Sequence, residues 1–446
     1  GRPIEEQDSQ DLLWIRDEFM QSTDDHGYCV VHGHTICEQP DFRANRIGID
    51  TGAYFSGVLT CLVLEGEEQR PFLIRPNDVA LPEDPHRLQQ AAQLLADLAS
   101  PILADFLLSP VAVRLGRPLI DPQAVARDRI ASRFALSQQL KWAAFLAASG
   151  MEIAFIKGFA NAHLFYPDPV LRMQGDLDIL VRETDLAPLI DLLAEEGFRF
   201  QPAPLNSWGM ISDASFAPFV SADGACNIDI HIQPDCYPAH RSLNADRLFR
   251  DARPVSIGEC SVLMPSPEHV LLLCATNSAK DKFDLVCLRK AVDAIVALRA
   301  APSVDWNEIV DLARKGRFLL PLRVFFAILG MEIAEADQRA ILVALGLDPA
   351  PLPDVLRAPI TGLRRRAMDQ VVAQFRLLFP DEPPLTTLLW REALLCAEPS
   401  VAGHNLLLRG AVGLYNVRYR GASNQGQRTR YAEAEATYLL DRHLRL

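Results

Sequence analysis

Apolar runs at strand-like spacing occupy the middle of the chain, and helical spacing dominates on either side. Gly175-Asp176-Leu177-Asp178-Ile179-Leu180-Val181 reads as a buried strand carrying two carboxylates. Successive strand side chains turn to opposite faces, so Asp176 and Asp178 share one face while Leu177 and Ile179 enter a core. Upstream, Met151-Glu152-Ile153-Ala154-Phe155-Ile156 is a second short strand ending in Lys157-Gly158. An amphipathic stretch follows from Phe159 to Tyr166, then the turn Pro167-Asp168-Pro169 and Arg172. Downstream, Asn227-Ile228-Asp229-Ile230-His231-Ile232 alternates polar and apolar, which puts Asp229 and His231 on the polar face of another strand. Pro254 to Leu263 reads as a strand pair. Helical spacing covers His86 to Leu108, Ile130 to Ala148, Asp185 to Gly197 (with glycine as the stop), a helix opening at Pro267-Glu268-His269, and Leu285 to Leu298. Residues 303–446 carry more helical patterning, broken by Pro349-Ala350-Pro351, Pro380 and Pro383-Pro384, while Pro76 to Pro85 reads as a linker.

Two anions side by side at the end of a buried strand are costly unless something cationic holds them. A divalent ion is one answer, and an all-oxygen pair suits Mg²⁺ or Mn²⁺ better than zinc. A salt-bridged carboxylate pair without catalysis is the other. Asp229 is the candidate third carboxylate. A glycine at a strand-to-helix turn lets backbone approach a phosphate, and a helix N-terminus favours an anion there. Lys157 and Arg172 would add positive charge beside it.

The order Ile156-Lys157-Gly158, Arg172, Asp176-Leu177-Asp178-Ile179-Leu180-Val181 and Ile228-Asp229-Ile230-His231 resembles the DNA polymerase β-type nucleotidyltransferase superfamily. Within it, the pattern is similar to the bacterial uncharacterised nucleotidyltransferase family, over roughly residues 120 to 340. The resemblance implies an α/β (α+β) core with a mixed sheet and flanking helices, followed by a large helical C-terminal region. It also implies transfer of a nucleoside monophosphate from NTP to an acceptor, with Asp176, Asp178 and Asp229 as catalytic metal ligands for Mg²⁺ or Mn²⁺. Lys157, Gly158 and Arg172 would serve nucleotide binding. One departure stands out: the superfamily usually has Gly-Ser or Gly-Gly at the turn, and here Phe159 follows Gly158.

The N-terminus carries different motifs. Leu13-Trp14-Ile15-Arg16-Asp17-Glu18-Phe19, Val30-Val31-His32-Gly33-His34-Thr35, Arg46-Ile47-Gly48-Ile49-Asp50-Thr51-Gly52-Ala53 and Leu59-Thr60-Cys61-Leu62 follow closely on one another. Together they resemble the C-terminal end of a calcineurin-like phosphoprotein phosphatase. That resemblance implies a small β-rich fragment in which His34 falls on a metal-binding position and His32 on a phosphate-contacting one. The family's earlier motifs, Gly-Asp-x-His-Gly, Gly-Asp-x-x-Asp-Arg-Gly and Gly-Asn-His-Asp/Glu, do not occur in this sequence. Residues 1–74 are therefore expected to be a vestigial or cut-down module. The chain begins at Gly1 rather than Met, which leaves room for an upstream part. His26, Cys29, His32, His34 and Cys37 have zinc-like density, but at a spacing that matches no standard zinc module.

The resulting division is a phosphatase-like fragment (1–74), a linker and helix (75–120), the nucleotidyltransferase core (121–300) and a helical region (301–446). The 446 residues have room for roughly two or three domains. A net charge of −13 argues against general nucleic-acid or acidic-membrane binding. The most basic run, Arg364-Arg365-Arg366, reads as a solvated helix end or a local basic groove. Lys282 and Arg289 either reach a triphosphate or lie on a solvated helix face. Nine scattered cysteines without Cys-x-x-Cys fit a reducing, cytoplasmic setting, and no apolar run is long enough to span a bilayer. The expected partners are an NTP and an unidentified acceptor (small molecule, peptide or protein), with no membrane. Two other readings stay open: a metallophosphoesterase completed by an upstream part, and an inactive nucleotidyltransferase fold that binds without catalysing. P-loop, Gly-x-Gly-x-x-Gly and Gly-x-Ser-x-Gly motifs do not occur.

Overall fold

Alternation of apolar and polar residues places several short strands side by side, and the computed structural model shows how. It describes residues 17–25, 27–37, 39–53, 59–65, 68–74, 85–172, 175–200, 218–235, 238–258, 260–301, 303–329, 353–376, 383–395 and scattered positions from 400 to 414. The chain forms two units, residues 1–81 with 109–118 and residues 82–108 with 119–446. The expected linker at 76–84 and the proline breaks at 349–351 and 380 lie outside the described residues.

The first unit is β-rich, as expected. It holds a short helix α1 (Asp17–Gln21), strands β1 (Val30–His32), β2 (Asp41–Phe42) and β3 (Arg46–Gly48), and a hairpin of β4 (Leu59–Glu65) and β5 (Glu68–Ile74). The three-stranded sheet runs β1-β3-β2, with β1 parallel and β2 antiparallel to β3. Buried Arg46 donates to the Ser22 carbonyl at 3.0 Å and lies over the Phe19 ring.

The helical stretch from His86 to Leu108 is two helices, α2 (Pro85–Leu98) and α3 (Pro101–Leu115). Pro101 lacks the N–H that would continue α2, and its ring blocks the preceding turn. Helix α4 (Pro122–Ala147) starts where Asp121 accepts from the Gln123 amide with Pro122 in the first turn.

Then come β6 (Ile153–Phe155), α5 (Lys157–Phe165), a 3-10 turn (Pro169–Leu171), β7 (Leu177–Val181), α6 (Leu186–Glu195), β8 (Arg199–Phe200), β9 (Phe219–Val220) and β10 (Asn227–His231). Helix α7 (Ala245–Asp251), the strand pair β11 (Arg253–Ile257) and β12 (Cys260–Met264), α8 (Pro267–Lys280) and α9 (Cys287–Ala300) follow. The remaining described elements are all helical: α10 (Trp306–Lys315), α11 (Leu319–Ile328), α12 (Asp354–Arg357), α13 (Gly362–Arg376) and α14 (Leu385–Leu395).

The seven strands of this unit form one mixed sheet in the order β11-β12-β6-β7-β10-β9-β8. Central β7 runs antiparallel to β6 and parallel to β10. One face of the sheet is apolar: Leu177, Ile179, Val181, Ile228 and Ile230 pack in a single cluster with Trp142 and Leu146 of α4 and Leu189 and Leu193 of α6. Each such side chain contributes about 1.5–3 kcal/mol on burial. Because the pleat has a period of two, fixing this face in the core commits Asp178, Asp229 and His231 to the other. Helix α5 packs against α8 and α9, and its Phe159 and Ala160 join the apolar cluster.

Candidate active site

In parallel β7 and β10 the backbone register pairs Asp229 with Asp178. Side chains in register on neighbouring strands point the same way, so the two carboxylates meet and His231, two residues on, joins them. One ligand atom from each of Asp178, Asp229 and His231 lies within 4.8 Å of the others. Asp176 precedes the strand, its carbonyl held by the Gln139 amide at 3.2 Å, and its side chain lines the same cavity as Asp178. It does not belong to the three-residue group.

The strand-to-helix turn contributes the cation. Lys157 sits in the left-handed backbone region (φ 52°), which costs a non-glycine residue ~1–2 kcal/mol. Its Nζ donates to Asp178 Oδ1 at 2.5 Å and lies 3.0 Å from His231 Nε2, which is itself 2.9 Å from Asp178 Oδ1. The N-cap of α5, Ile156, has no side-chain acceptor for the first-turn amides, and Gly158 beside it lines the cavity. Phe159, which stands where the resembled superfamily has a small residue, is fully buried against Phe155 in the core.

The cavity has a volume of about 320 Å³. Its walls combine Lys157, Asp176 and Asp178 with Asn161, Asn277, Arg289 and Lys290. Arg172 also lines it, but its guanidinium is engaged with Asp293: Nε to Oδ1 at 2.7 Å and Nη2 to Oδ2 at 2.8 Å, both residues buried. The Tyr166 hydroxyl donates to the same Oδ1 at 2.8 Å. Lys282 lies elsewhere. It is buried, not on a solvated face, and pairs with Glu392 at 3.7 Å. Arg364, Arg365 and Arg366 are exposed on α13, with Arg365 paired to Asp369.

Electrostatics set the protonation pattern. Burial followed by the charges of Asp178 and Asp176 raises Asp229 from 3.8 to about 7. Burial, then Asp178, also raises Asp176. Burial would raise Asp178 too, but Lys157 and the His231 hydrogen bond outweigh it and hold the carboxyl well below its usual range. Burial opposes the Lys157 charge, yet Asp178 prevails and raises the ammonium above 10.5. Burial and then Lys157 lower His231 to about 4, so the ring is neutral. Asp229 Oδ1 and His231 Nδ1 are buried without a hydrogen-bond partner. Two carboxylates, a neutral imidazole and an orphaned oxygen fit a divalent cation. In the ion-free chain Lys157 supplies the compensating charge.

His231 was recognised in the sequence only as sharing a face with Asp229. Its position in the alternating strand was the available signal. Asn161, Tyr166 and Asp293 had none, since Asp293 reaches Arg172 from 121 residues away. At the N-terminus, His32 stacks edge-on against Phe19, and the His34 amide donates to Asp50 Oδ2 at 2.8 Å. The metal-ligating groups found among the described residues include neither histidine.

Residues 123–330 match a family model described as an uncharacterised nucleotidyltransferase. The match spans the two strands that carry the acidic cluster and the helix that opens on its lysine, and supports a nucleotidyltransferase assignment for this part of the chain. It does not extend to residues 1–74, whose phosphatase resemblance gains no support. No curated protein matches the chain. Among the described residues, no helix is long and apolar enough to cross a membrane.

Proposed function

We propose that this chain is a divalent-metal-dependent nucleotidyltransferase that moves a nucleoside monophosphate from an NTP to an acceptor. The observation that carries the reading is the meeting of Asp178, Asp229 and His231 beside Lys157, with Asp178 and Lys157 lining a cavity that Arg289 and Lys290 also line. Asp176, Asp178 and Asp229 would hold Mg²⁺ or Mn²⁺, with His231 adjoining. When bound, the ion would neutralise charge on the attacking and leaving oxygens. The acceptor bonds to the α-phosphorus, the bond to the bridging oxygen breaks, and pyrophosphate leaves. Lys157, the uncapped first turn of α5 at Gly158, and Arg289 receive the phosphates. Arg172, locked by Asp293, positions the wall instead of gripping the nucleotide. A cytoplasmic setting fits the seven described cysteines, all unpaired thiols.

The test is transfer of labelled NTPs by the purified chain, to itself and to cell lysate, with Mg²⁺ or Mn²⁺. Asp178→Asn should reduce transfer at least ~100-fold per folded molecule, equivalent to about 2.7 kcal/mol. Normal transfer by that variant would remove Asp178 from the reaction. No transfer from any NTP, with binding retained, would favour the inactive binding module.

A further inference from the structure

A second group of metal-ligating side chains lies away from the cavity. Asp251 ends α7, His269 is in the first turn of α8, and Glu308 is in the first turn of α10. His269 Nε2 lies 3.7 Å from Asp251 Oδ2 and 3.9 Å from Glu308 Oε1, and the three ligand atoms fall within 4.8 Å of one another. His269 is 0 % exposed, and neither of its ring nitrogens has a hydrogen-bond partner. A buried imidazole aimed at two carboxylates, but too far to bond either, is a ligand set without its centre. Arg247 donates to both Asp251 and Glu308, yet leaves the histidine unsatisfied. Its side chain is 33 % exposed, so it can withdraw into solvent.

We propose that Asp251, His269 and Glu308 form a structural binding site for a borderline divalent cation such as Zn²⁺, displacing Arg247. Tetrahedral zinc with nitrogen and oxygen ligands at about 2.1 Å sets them roughly 3.4 Å apart. The two histidine–carboxylate separations need to close by about 0.3–0.5 Å to meet that spacing, and the carboxylate pair lies within 4.8 Å. Burial lowers the His269 pKa to about 4, so the ring is neutral and has a lone pair to offer. A nitrogen and carboxylate donor set accommodates zinc. Bound there, the ion staples α7, α8 and α10 together. Helix α8 also supplies Val270, Leu273 and Asn277 to the cavity wall, so the staple fixes one side of the proposed active site without touching it.

The experiment uses the full chain, stripped with a chelator, reloaded with Zn²⁺, passed through a desalting column and analysed for bound metal. The parent and Asp178→Asn should each retain one more ion per chain than the same chain carrying Glu308→Gln. Glu308→Gln and His269→Gln should each weaken Zn²⁺ at least ~100-fold, beyond the loss typical of an outer-shell partner. Co²⁺ substitution should give a visible absorption band in the parent that Glu308→Gln abolishes. Glu308 is partly exposed, so its variant decides the matter if His269→Gln does not fold. Equal retention by the parent and Glu308→Gln, no retention by the parent, or no difference between Asp178→Asn and the Asp178→Asn, Glu308→Gln double variant would each overturn the assignment.

Discussion

Asp229→Asn tests the electrostatics of the site without needing a substrate. In the folded chain Asp229 keeps its proton up to about pH 7, against 3.8 for an unperturbed carboxyl, through burial and then the charges of Asp178 and Asp176. Between those values the folded chain holds more protons than the unfolded one, so stability falls as pH rises through the window. Above pH 7 the full cost is present, roughly 4 kcal/mol at about 1.4 kcal/mol per pH unit. Asparagine has the same shape and no charge to lose. In EDTA at pH 8, Asp229→Asn should therefore be more stable than the parent by up to roughly 4 kcal/mol. The advantage should shrink toward zero by about pH 4. Mg²⁺ should reverse the order at pH 8, because only the parent gains a carboxylate ligand. Thermal melts from pH 4 to 8, with EDTA and with Mg²⁺, measure all of this. A variant that melts no higher than the parent in EDTA at pH 8, or by the same margin at both ends of the range, would refute the reasoning.

Asp293→Asn leaves the Arg172 guanidinium buried without its carboxylate and should cost about 3–5 kcal/mol in a denaturant titration, much of it recovered by pairing Arg172→Met with Asp293→Leu. Lys157→Met should lower the melting temperature in EDTA, and Mg²⁺ should then raise it by more degrees than in the parent, because the three carboxylates lack their internal cation. Gly316→Ala would set a Cβ 2.4 Å from Phe318 Cε1 and 2.5 Å from Ser242 Oγ. With Phe318 fully buried, that clash should destabilise by about 1–3 kcal/mol, readable as an earlier melt.

Most of the sheet was legible because its information is local. Leu177 and Ile179 alternate with Asp178 on a single strand, and Ile228 and Ile230 with Asp229 on another, so periodicity alone assigns both faces. That β7 and β10 are parallel neighbours in register is not local, and no pattern in the sequence announced it. Charge partners were harder still. Asp178 read as one of two anions in need of a cation, with no sign of which residue would supply it. Lys157, 21 residues earlier, screens it, so Asp178→Asn strands a buried ammonium and costs stability in the ion-free chain. Arg172 looked like a phosphate ligand because its partner, Asp293, sits on a helix whose pattern reads only as amphipathic. Lys282 looked solvated because nothing near it announces Glu392. Proline did carry its message at Ser100-Pro101, where a single expected helix became two, although the spacing of apolar residues runs on through it.

If Asp178 and Asp229 hold an ion as proposed, the lysine beside Asp178 and His231 separates two events that many metalloproteins join. Where ligand carboxylates have no internal counter-ion, the chain waits on the metal before it is compact, and a shortage of metal becomes a shortage of protein. At a metal site of the kind proposed, the ammonium would let the polypeptide close its sheet and persist through a period of ion scarcity. Quality-control proteases, which sense unfolded chain, would not distinguish loaded from unloaded molecules. Cellular abundance of the protein and the fraction of it ready to react would then respond to different signals, the first to synthesis and the second to the supply of divalent cation.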